Sequence, residues 1–243
     1  MLFDWLFWLI AITGVILTGI SKSGFAGGAG VVAVPLMSLY IPFEQTVVIM
    51  LPLLIVMDYK MMRLHWRNVP WPIVKQLLFA AIAGIVLGGA MMNQLSGEHL
   101  MIMLALLSIL FSIWGSLAQW LSRFKRQGYF WGGFSGLSST LLHAGGPPIN
   151  IYLVSLQMPK LQWLAATAAF FGVMNWIKVV PYTLNGLWQW ELIWVTLGLF
   201  PFAYLGVILG HHIQKRISET RFLQLCKGLL FFSGMGLLVK AYL

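Results

Sequence analysis

Charged side chains are scarce in this sequence, in which Asp, Glu, Lys and Arg together account for 9% of 243 residues. In a soluble domain the charged share is roughly a quarter, so the scarcity excludes an ordinary soluble protein. Hydrophobic residues make up 60% of the chain, and several apolar runs reach about twenty residues, enough to cross roughly 30 Å of hydrocarbon. The composition therefore predicts an integral membrane protein that crosses the bilayer several times.

Cysteine and acidic residues are also rare. The single Cys226 lies in an apolar run, which excludes an internal disulfide and a cysteine-based zinc cluster. The chain has six acidic residues and fifteen Lys and Arg. In a soluble protein such an excess of basic residues would suggest a nucleic-acid partner. Here the basic residues form short clusters between apolar runs, a pattern that orients membrane proteins. We therefore expect no nucleic-acid partner, no metal and no cofactor.

Glycine, by contrast, is concentrated in two related stretches. Residues 19–39 (GISKSGFAGGAGVVAVPLMSL) interrupt an apolar run with a glycine cluster, and residues 136–156 (GLSSTLLHAGGPPINIYLVSL) match them at an offset of 117 positions. The same offset aligns Asp58 with Asn175, and after a five-residue insertion Gly84 aligns with Gly206. An offset that persists over this length indicates an internal repeat.

The apolar runs predict an all-α fold. We expect helices over residues 4–21, 31–40, 45–64, 73–92, 100–121, 130–142, 149–157, 162–183, 192–212 and 222–242. Residues 1–121 form the first repeat, residues 122–128 a basic linker and residues 129–243 the second repeat. Each half is expected to contain a broken or re-entrant helical element followed by three transmembrane helices.

Loop charge orients these helices, because Lys and Arg near the ends of spans stay in the cytoplasm. The segments expected inside hold Arg63, Arg67 and Lys75, then Arg123, Lys125 and Arg126, then Lys215, Arg216 and Arg221. The opposite loops, residues 42–44, 93–99 and 183–191, contain neither Lys nor Arg. Each broken element then returns to the side it entered from, as a re-entrant hairpin or a pair of short spans. The halves have inverted topology, a frequent plan of secondary transporters, and the expected location is a bacterial inner (cell) membrane.

A family resemblance is carried by residues 24–35 (GFAGGAGVVAVP), 143–153 (HAGGPPINIYL) and 174–178 (MNWIK). In these segments, and over essentially its whole length, the chain resembles the sulfite exporter TauE/SafE family. The resemblance implies a membrane transporter of small anions, with sulfite and organosulfonates among the substrates and coupling to protons left open. The second element has Pro147 and Pro148 where the first has Gly30 and Val31, so identical chemistry at the two elements is not implied.

The glycine breaks themselves are candidates for substrate binding. A broken helix is tolerated inside a bilayer only where it is buried in protein or lines a wet cavity. A half-helix that begins near residues 28–31 or 147–149 directs unpaired N–H groups and a positive dipole end at that cavity, which suits an oxyanion. The candidates are Gly27, Gly28, Gly145, Gly146 and Asn150. The alternative is that the glycines only let helices approach closely.

Polar side chains precede both breaks. They are Ser21, Lys22 and Ser23 in the first copy, and Ser138, Ser139 and Thr140 in the second. Hydroxyls bond an oxyanion without a permanent charge, and Lys22 adds a fixed cation, so all six are substrate-binding candidates. The alternatives are that Lys22 snorkels to an interface and that the hydroxyls bond backbone carbonyls of their own helix.

The remaining candidates are Asp58, His143, Asn175 and Lys178. An ionisable residue within a span is a functional hypothesis by default, so we expect Asp58 and His143 to be candidates for proton coupling. His143, Asn175 and Lys178 are candidates for substrate binding. The alternatives are a structural ion pair of Asp58 with Lys60, Arg63 or a neighbouring helix, interfacial anchoring by Lys178, and a packing or capping role for His143.

Together these features predict a secondary transporter that exports a small anion such as sulfite, an organosulfonate or a related carboxylate or sulfur compound. Transport is expected to proceed by alternating access around the two broken helices. The alternatives are a passive anion channel and an intramembrane enzyme. An enzyme would need a second acid or an oriented base at depth, so we expect no catalytic activity. The expected partners are the anion, protons and membrane lipids, and the oligomeric state is left open.

Overall fold

The computed structural model of the chain describes residues 4–24, 32–113, 128–213 and 219–242, and these residues contain helices and no β-strand. The helices are α1 (Trp5–Gly24), α2 (Ala33–Ser38), α3 (Phe43–His65), α4 (Trp71–Met92), α5 (Gly97–Ile113), α6 (Gly128–Leu142), α7 (Gly146–Ser155), α8 (Lys160–Leu184), α9 (Trp190–Ile213) and α10 (Glu219–Tyr242). A single 3₁₀ turn, Trp66–Asn68, follows α3. The all-α prediction is confirmed.

Proline marks the beginning of several helices. Pro42, Pro70 and Pro159 each immediately precede a long helix, α3, α4 and α8 respectively. The ring holds φ near the helical value and its missing N–H removes nothing that the first turn would use. The predicted helix at residues 100–121 corresponds to α5, and its part beyond Ile113 lies outside the described residues, as do residues 122–127 of the basic linker.

Among the described residues, five helical segments are long and apolar enough to cross a membrane: α1, α4, α8, α9 and Gln224–Tyr242 of α10. The helix expected at residues 45–64 is present as α3, but it is not one of these five. Most of its side chains are buried by neighbouring helices, so α3 is a central helix of the bundle. These observations define an integral, multi-pass membrane protein.

Helix pairing follows the repeat. The helix α1 packs against α9, α6 packs against α4, and α3 packs against α8. Apolar side chains form one core that includes α1, α2, α3 and α9, and a second core of α4, α6, α7 and α8. By the sequence offsets, α6, α7, α8 and α4 align with α1, α2, α3 and α9. The first core also contains side chains of α5, α8 and α10.

Glycines at equivalent positions permit the two closest helix contacts. A Cβ atom placed on Gly206 would lie 2.7 Å from the Ile16 carbonyl oxygen, and one on Gly84 would lie 2.0 Å from that of Gly133. Gly133 is the counterpart of Ile16, and Gly206 is the counterpart of Gly84. Here the alternative interpretation of glycine, that it lets helices approach closely, describes what these residues do.

Replacing Gly84 or Gly206 with alanine is therefore expected to lower the free energy of unfolding by about 1–3 kcal/mol, because backbone atoms of the facing helix cannot yield without separating the pair. Gly228 is the matched control, since nothing lies within 4 Å of a Cβ placed there. Chemical unfolding in detergent micelles measures the difference. Equal stability of Gly84→Ala and Gly228→Ala would contradict the close contact.

Candidate functional site

The helices α3 and α8 bring Asp58 and Asn175 into direct contact at the centre of the bundle. The Asn175 Nδ2 atom donates a hydrogen bond of 2.7 Å to Asp58 Oδ2, across 117 positions of sequence. Both side chains are almost fully buried. The two residues that align in the repeat therefore meet each other, and each half contributes one of them.

Lys22 binds the other oxygen of the same carboxylate. Its Nζ atom, in the last turn of α1, lies 2.5 Å from Asp58 Oδ1, and the two side chains are 9% and 3% exposed. The ammonium also lies 4.9 Å from the centre of the Phe171 ring, a cation–π distance. Lys22 therefore points into the protein, and the idea that it snorkels to an interface is wrong.

The partner of Asp58 comes from a neighbouring helix, which was one of the alternatives drawn from the sequence. The basic residues of its own helix are not its partners in the described contacts. Lys60 donates instead to the Tyr204 hydroxyl of α9 at 2.6 Å. The ion pair thus ties α1 to α3, and the Asn175 amide ties α3 to α8.

Lys178 is fully buried and makes three polar contacts. Its Nζ atom lies 3.1 Å from Ser139 Oγ, 3.1 Å from Asn175 Oδ1 and 2.8 Å from His143 Nδ1. Three acceptors match the three N–H donors of a lysine ammonium. Interfacial anchoring by Lys178 is therefore wrong, because its side chain is buried and its Nζ atom binds the Asn175 side-chain oxygen.

His143 has two structural roles. Its φ of 52° is left-handed, and its amide donates to the Ser139 carbonyl at 3.0 Å, the bond of an αL cap at the end of α6. The Ala144 amide donates to the Ser138 carbonyl at 3.2 Å. Glycine is usual at that position, and histidine is among the residues that tolerate it. The capping role is confirmed for the backbone, while the side chain turns toward Lys178.

The tautomer of His143 follows from its neighbours. An ammonium only donates, so Nδ1 accepts from Lys178, and Nε2 carries the proton. That proton points to the Val47 carbonyl of α3 at 2.9 Å, with the Tyr182 hydroxyl at 3.3 Å. We call the connected set the central polar cluster. Its members are Lys22, Asp58, Ser139, His143, Asn175, Lys178 and Tyr182.

Two substitutions of His143 can distinguish the role of its backbone in the helix cap from the role of its imidazole. Both His143→Gly and His143→Ala remove the imidazole, and both are expected to lose transport. The glycine variant is expected to be more stable by about 1 kcal/mol, because only alanine has a Cβ atom that opposes positive φ. Thermal unfolding of the two purified variants measures this. Equal stability would show that the cap does not constrain residue 143.

Most of the predicted hydroxyls bond backbone carbonyls in this conformation. Ser23 donates to the Gly19 carbonyl at 3.0 Å, Ser138 to that of Phe134 at 2.8 Å and Thr140 to that of Gly136 at 2.7 Å. Ser139 differs, because its oxygen faces Lys178. Ser21 is fully buried on α1. The hydroxyl expected to contribute most to the cluster is therefore Ser139, the counterpart of Lys22.

The second glycine break is enclosed by protein, and Gly145 is needed there for space. Its Cβ would lie 2.8 Å from Ser139 Cβ, and its carbonyl accepts a 2.7 Å hydrogen bond from Ser135 Oγ. The helix α7 begins at Gly146, so the predicted helix start at Pro147 and Pro148 is correct.

The unpaired N–H groups expected at this helix start are largely missing. Pro147 and Pro148 have no N–H, and the Ile149 amide bonds the Gly145 carbonyl at 3.4 Å. The amides of Gly145 and Gly146 remain candidates for binding an anion. The second element therefore offers fewer amides than an ordinary helix start, and the side chains of the cluster add cations and donors.

Three predicted candidates are not placed in the cluster by the structure. Asn150 accepts a 3.1 Å hydrogen bond from Trp163 Nε1 in the first turn of α8, which is about 18 Å along that helix from Asn175. Gly27 and Gly28 lie outside the described residues. The structure thus joins Lys22, Asp58 and the second-half residues of the cluster, and leaves Asn150 apart from them.

The sequence interpretation missed Tyr182. Its side chain is fully buried, and its hydroxyl donates to the Thr140 carbonyl at 3.0 Å beside His143. The signal was present, because Asn175, Lys178 and Tyr182 follow one another at spacings of three and four residues and so share one helix face. Extending that face by one turn would have found it.

A small cavity touches the ion pair. Its lining residues are Lys22, Asp58, Met61, Thr167, Ala168 and Phe171, and the space open to the centre of a water molecule is about 10 Å³. That is room for about one water and too little for a sulfonate. The cavity lies on the side of the cluster toward Arg63 and Lys160, the end of the bundle predicted to be cytoplasmic.

A helical, multi-pass membrane protein with ionisable side chains enclosed at its centre has the organisation of a membrane transport protein. The family model described as sulfite exporter TauE/SafE matches residues 10–237, and the chain belongs to this family. Membership implies a membrane transporter of small sulfur-containing anions, and it confirms the resemblance seen in the glycine elements. No curated protein and no solved structure matches the chain.

Proposed function

We propose that this protein is a secondary transporter that exports a small sulfur-containing anion, such as sulfite or an organosulfonate, and binds it at the central polar cluster. The observation that carries the proposal is that two lysines lie on either side of one carboxylate. Lys22 binds Asp58 directly, and Lys178 is linked to Asp58 through the Asn175 amide. With both lysines protonated the cluster holds one more positive than negative charge. Buried charges require partners, and an anion is a partner that both ammonium groups can bind.

The contacts between equivalent residues support the proposed inverted repeat. Asp58 meets its counterpart Asn175, as expected where a two-fold axis passes between the halves. The pairings of α1 with α9 and of α6 with α4 are also equivalent. Together with the loop charges, these pairings favour two halves that insert in opposite directions and rock about a central site.

The lengths of α6 and α7 favour a re-entrant second element. The two helices have 15 and 10 residues, and each is shorter than the roughly 20 residues that a span requires. The turn between them is buried beside the cluster. Opening toward either side would then alter the surroundings of His143 and Lys178, which lie at that turn and on the helix that faces it.

The closed centre favours alternating access over the alternative of a passive channel. Side chains of both halves bond each other across the bundle, and the adjoining cavity holds about one water. An anion can pass only when these contacts rearrange. Within the cluster, Asp58 and His143 are the titratable groups that could couple this rearrangement to protons.

Uptake of ³⁵S-labelled sulfite and methanesulfonate into proteoliposomes tests the proposal. We expect saturable, protein-dependent flux, and accumulation above the outside concentration when a pH gradient is imposed. A passive channel would equilibrate the anion and never accumulate it. Protein-containing vesicles that transport neither anion faster than empty vesicles would contradict the function.

A further inference from the structure

Asp58 occupies the position beside Lys22 that a substrate oxygen would take. One carboxylate oxygen binds the Lys22 ammonium and the other accepts from Asn175, so both oxygens are engaged as acceptors. Carboxylate, sulfite and sulfonate oxygens are alike in being anionic acceptors for an ammonium. The protein therefore holds an internal anion at the cation that the substrate would use.

We infer that Asp58 competes with the substrate for Lys22, so that the anion binds Lys22 only when Asp58 takes up a proton, and one proton binds with each anion. The inference rests on the proposed anion transport and deepens it. The proton adds to a carboxylate oxygen of Asp58, and no covalent bond of the substrate changes. The neutral acid loses its ion pair with Lys22, and the anion replaces it.

Electrostatics in a buried site require the two events to occur together. An anion bound to Lys22 beside an ionised Asp58 would place two negative charges in contact with the same ammonium, and like charges repel strongly in a medium of low dielectric constant. The Lys178 ammonium does not relieve this contact directly, because it binds Ser139, Asn175 and His143. A proton on Asp58 without an anion would leave the Lys22 ammonium buried and unpaired, which is also strongly unfavourable. Exchange of one monoanion for another keeps the net charge at Lys22 unchanged.

The groups that face Asp58 agree with this assignment. The charged residues that act on it from other helices are Lys22 of α1 and Lys178 of α8. On the remaining packed helices, α2 has no titratable residue, the Tyr204 hydroxyl of α9 is bonded to Lys60, and Glu98 and His99 lie in the first turn of α5, near Glu44 at the opposite end of α3.

His143 is less suited to take up the coupled proton. Its Nε2 atom donates to the Val47 carbonyl and its Nδ1 atom faces the Lys178 ammonium at 2.8 Å. A second proton would sit on Nδ1, directly against that cation. Asp58, in contrast, lines the cavity that has room for about one water, and no cation binds the oxygen atom that Asn175 contacts in the described structure.

Isothermal titration calorimetry with methanesulfonate tests the inference, because this anion does not titrate near neutral pH and every proton taken up belongs to the protein. Titrations at one pH in phosphate and in Tris, which differ in ionisation enthalpy, give the number of protons bound. We expect about one proton to be taken up per anion bound. Where Asp58 is ionised in the free protein, the apparent affinity should fall about tenfold for each unit by which the pH is raised. In Asp58→Asn, we expect binding without proton uptake and without this pH dependence.

The outcomes separate this inference from the proposed function. If wild-type protein binds methanesulfonate with no proton uptake, the competition is wrong while anion binding stands. Retention of full proton uptake by Asp58→Asn would equally assign the proton to another group. If wild-type protein binds neither methanesulfonate nor sulfite, the proposed function fails and the inference with it. The wild-type titration decides the matter even where Asp58→Asn does not fold.

Discussion

Replacement of Lys22 with alanine is expected to abolish anion transport and to lower the free energy of unfolding by about 3–5 kcal/mol, the usual effect of removing one partner of a buried ion pair. Asp58 is 3% exposed and would keep the hydrogen bond from the Asn175 amide. Transport is lost because the substrate loses the cation it binds. Proteoliposome flux and chemical unfolding measure the two effects separately.

The double variant Lys22→Ala/Asp58→Asn is the control for stability. It removes both charges, so most of the lost stability should return, while transport should stay absent. Lys75→Ala removes an exposed lysine of α4 and should leave both properties unchanged. If the double variant transports the anion at the wild-type rate, Lys22 does not bind the substrate.

Replacement of Lys178 with methionine is also expected to have a large effect, on both stability and transport. The variant keeps an unbranched side chain that is one atom shorter but removes three donors, and it leaves His143 Nδ1 and Asn175 Oδ1 buried without their partner. Each buried unpaired acceptor costs about 1–3 kcal/mol, so we expect a loss of about 2–6 kcal/mol in stability. Transport should cease, because the proposed site loses one of its two lysines.

The measurement compares variants at equal amounts of monodisperse protein, so that loss of folding is not counted as loss of transport. Lys75→Met is the matched control and should behave as wild type. Normal flux by the Lys178→Met protein would show that Lys178 does not bind the substrate. Normal stability would show that its three contacts do not stabilise the folded state.

Much of the helical architecture could be predicted from sequence, because lipid imposes a simple rule on composition. Apolar runs of about twenty residues and the prolines before α3, α4 and α8 placed most helix ends within a few residues. The offset of 117 positions aligned Asp58 with Asn175, and these residues meet in the structure. Repeat alignment therefore paired two residues of the central polar cluster without any knowledge of packing.

The partners within the site could not be predicted, because they depend on how separate helices pack. Lys22 and Asp58 are 36 positions apart, and nothing in either local sequence shows that α1 presents its last turn to α3. Lys60 and Arg63 follow Asp58 closely in the sequence and are therefore candidate partners for it. In the structure, Lys60 binds the Tyr204 hydroxyl instead.

The number of amides expected at the second break was too high for a different reason. The absence of N–H groups at Pro147 and Pro148 is visible in the sequence, and it should have lowered the number of amides expected to face an anion. The bond from Ile149 to the Gly145 carbonyl removes one more. The helix start was predictable from proline chemistry, and the loss of its donors was predictable from the same chemistry.

The most direct test of the central claim is a structure of the protein with 2-bromoethanesulfonate, whose bromine locates the ligand by anomalous scattering. The account predicts sulfonate oxygens within about 3 Å of the Lys22 Nζ atom, with the Asp58 carboxyl turned away from that atom. A sulfonate bound elsewhere while the contact between Lys22 and Asp58 stays intact would contradict the account.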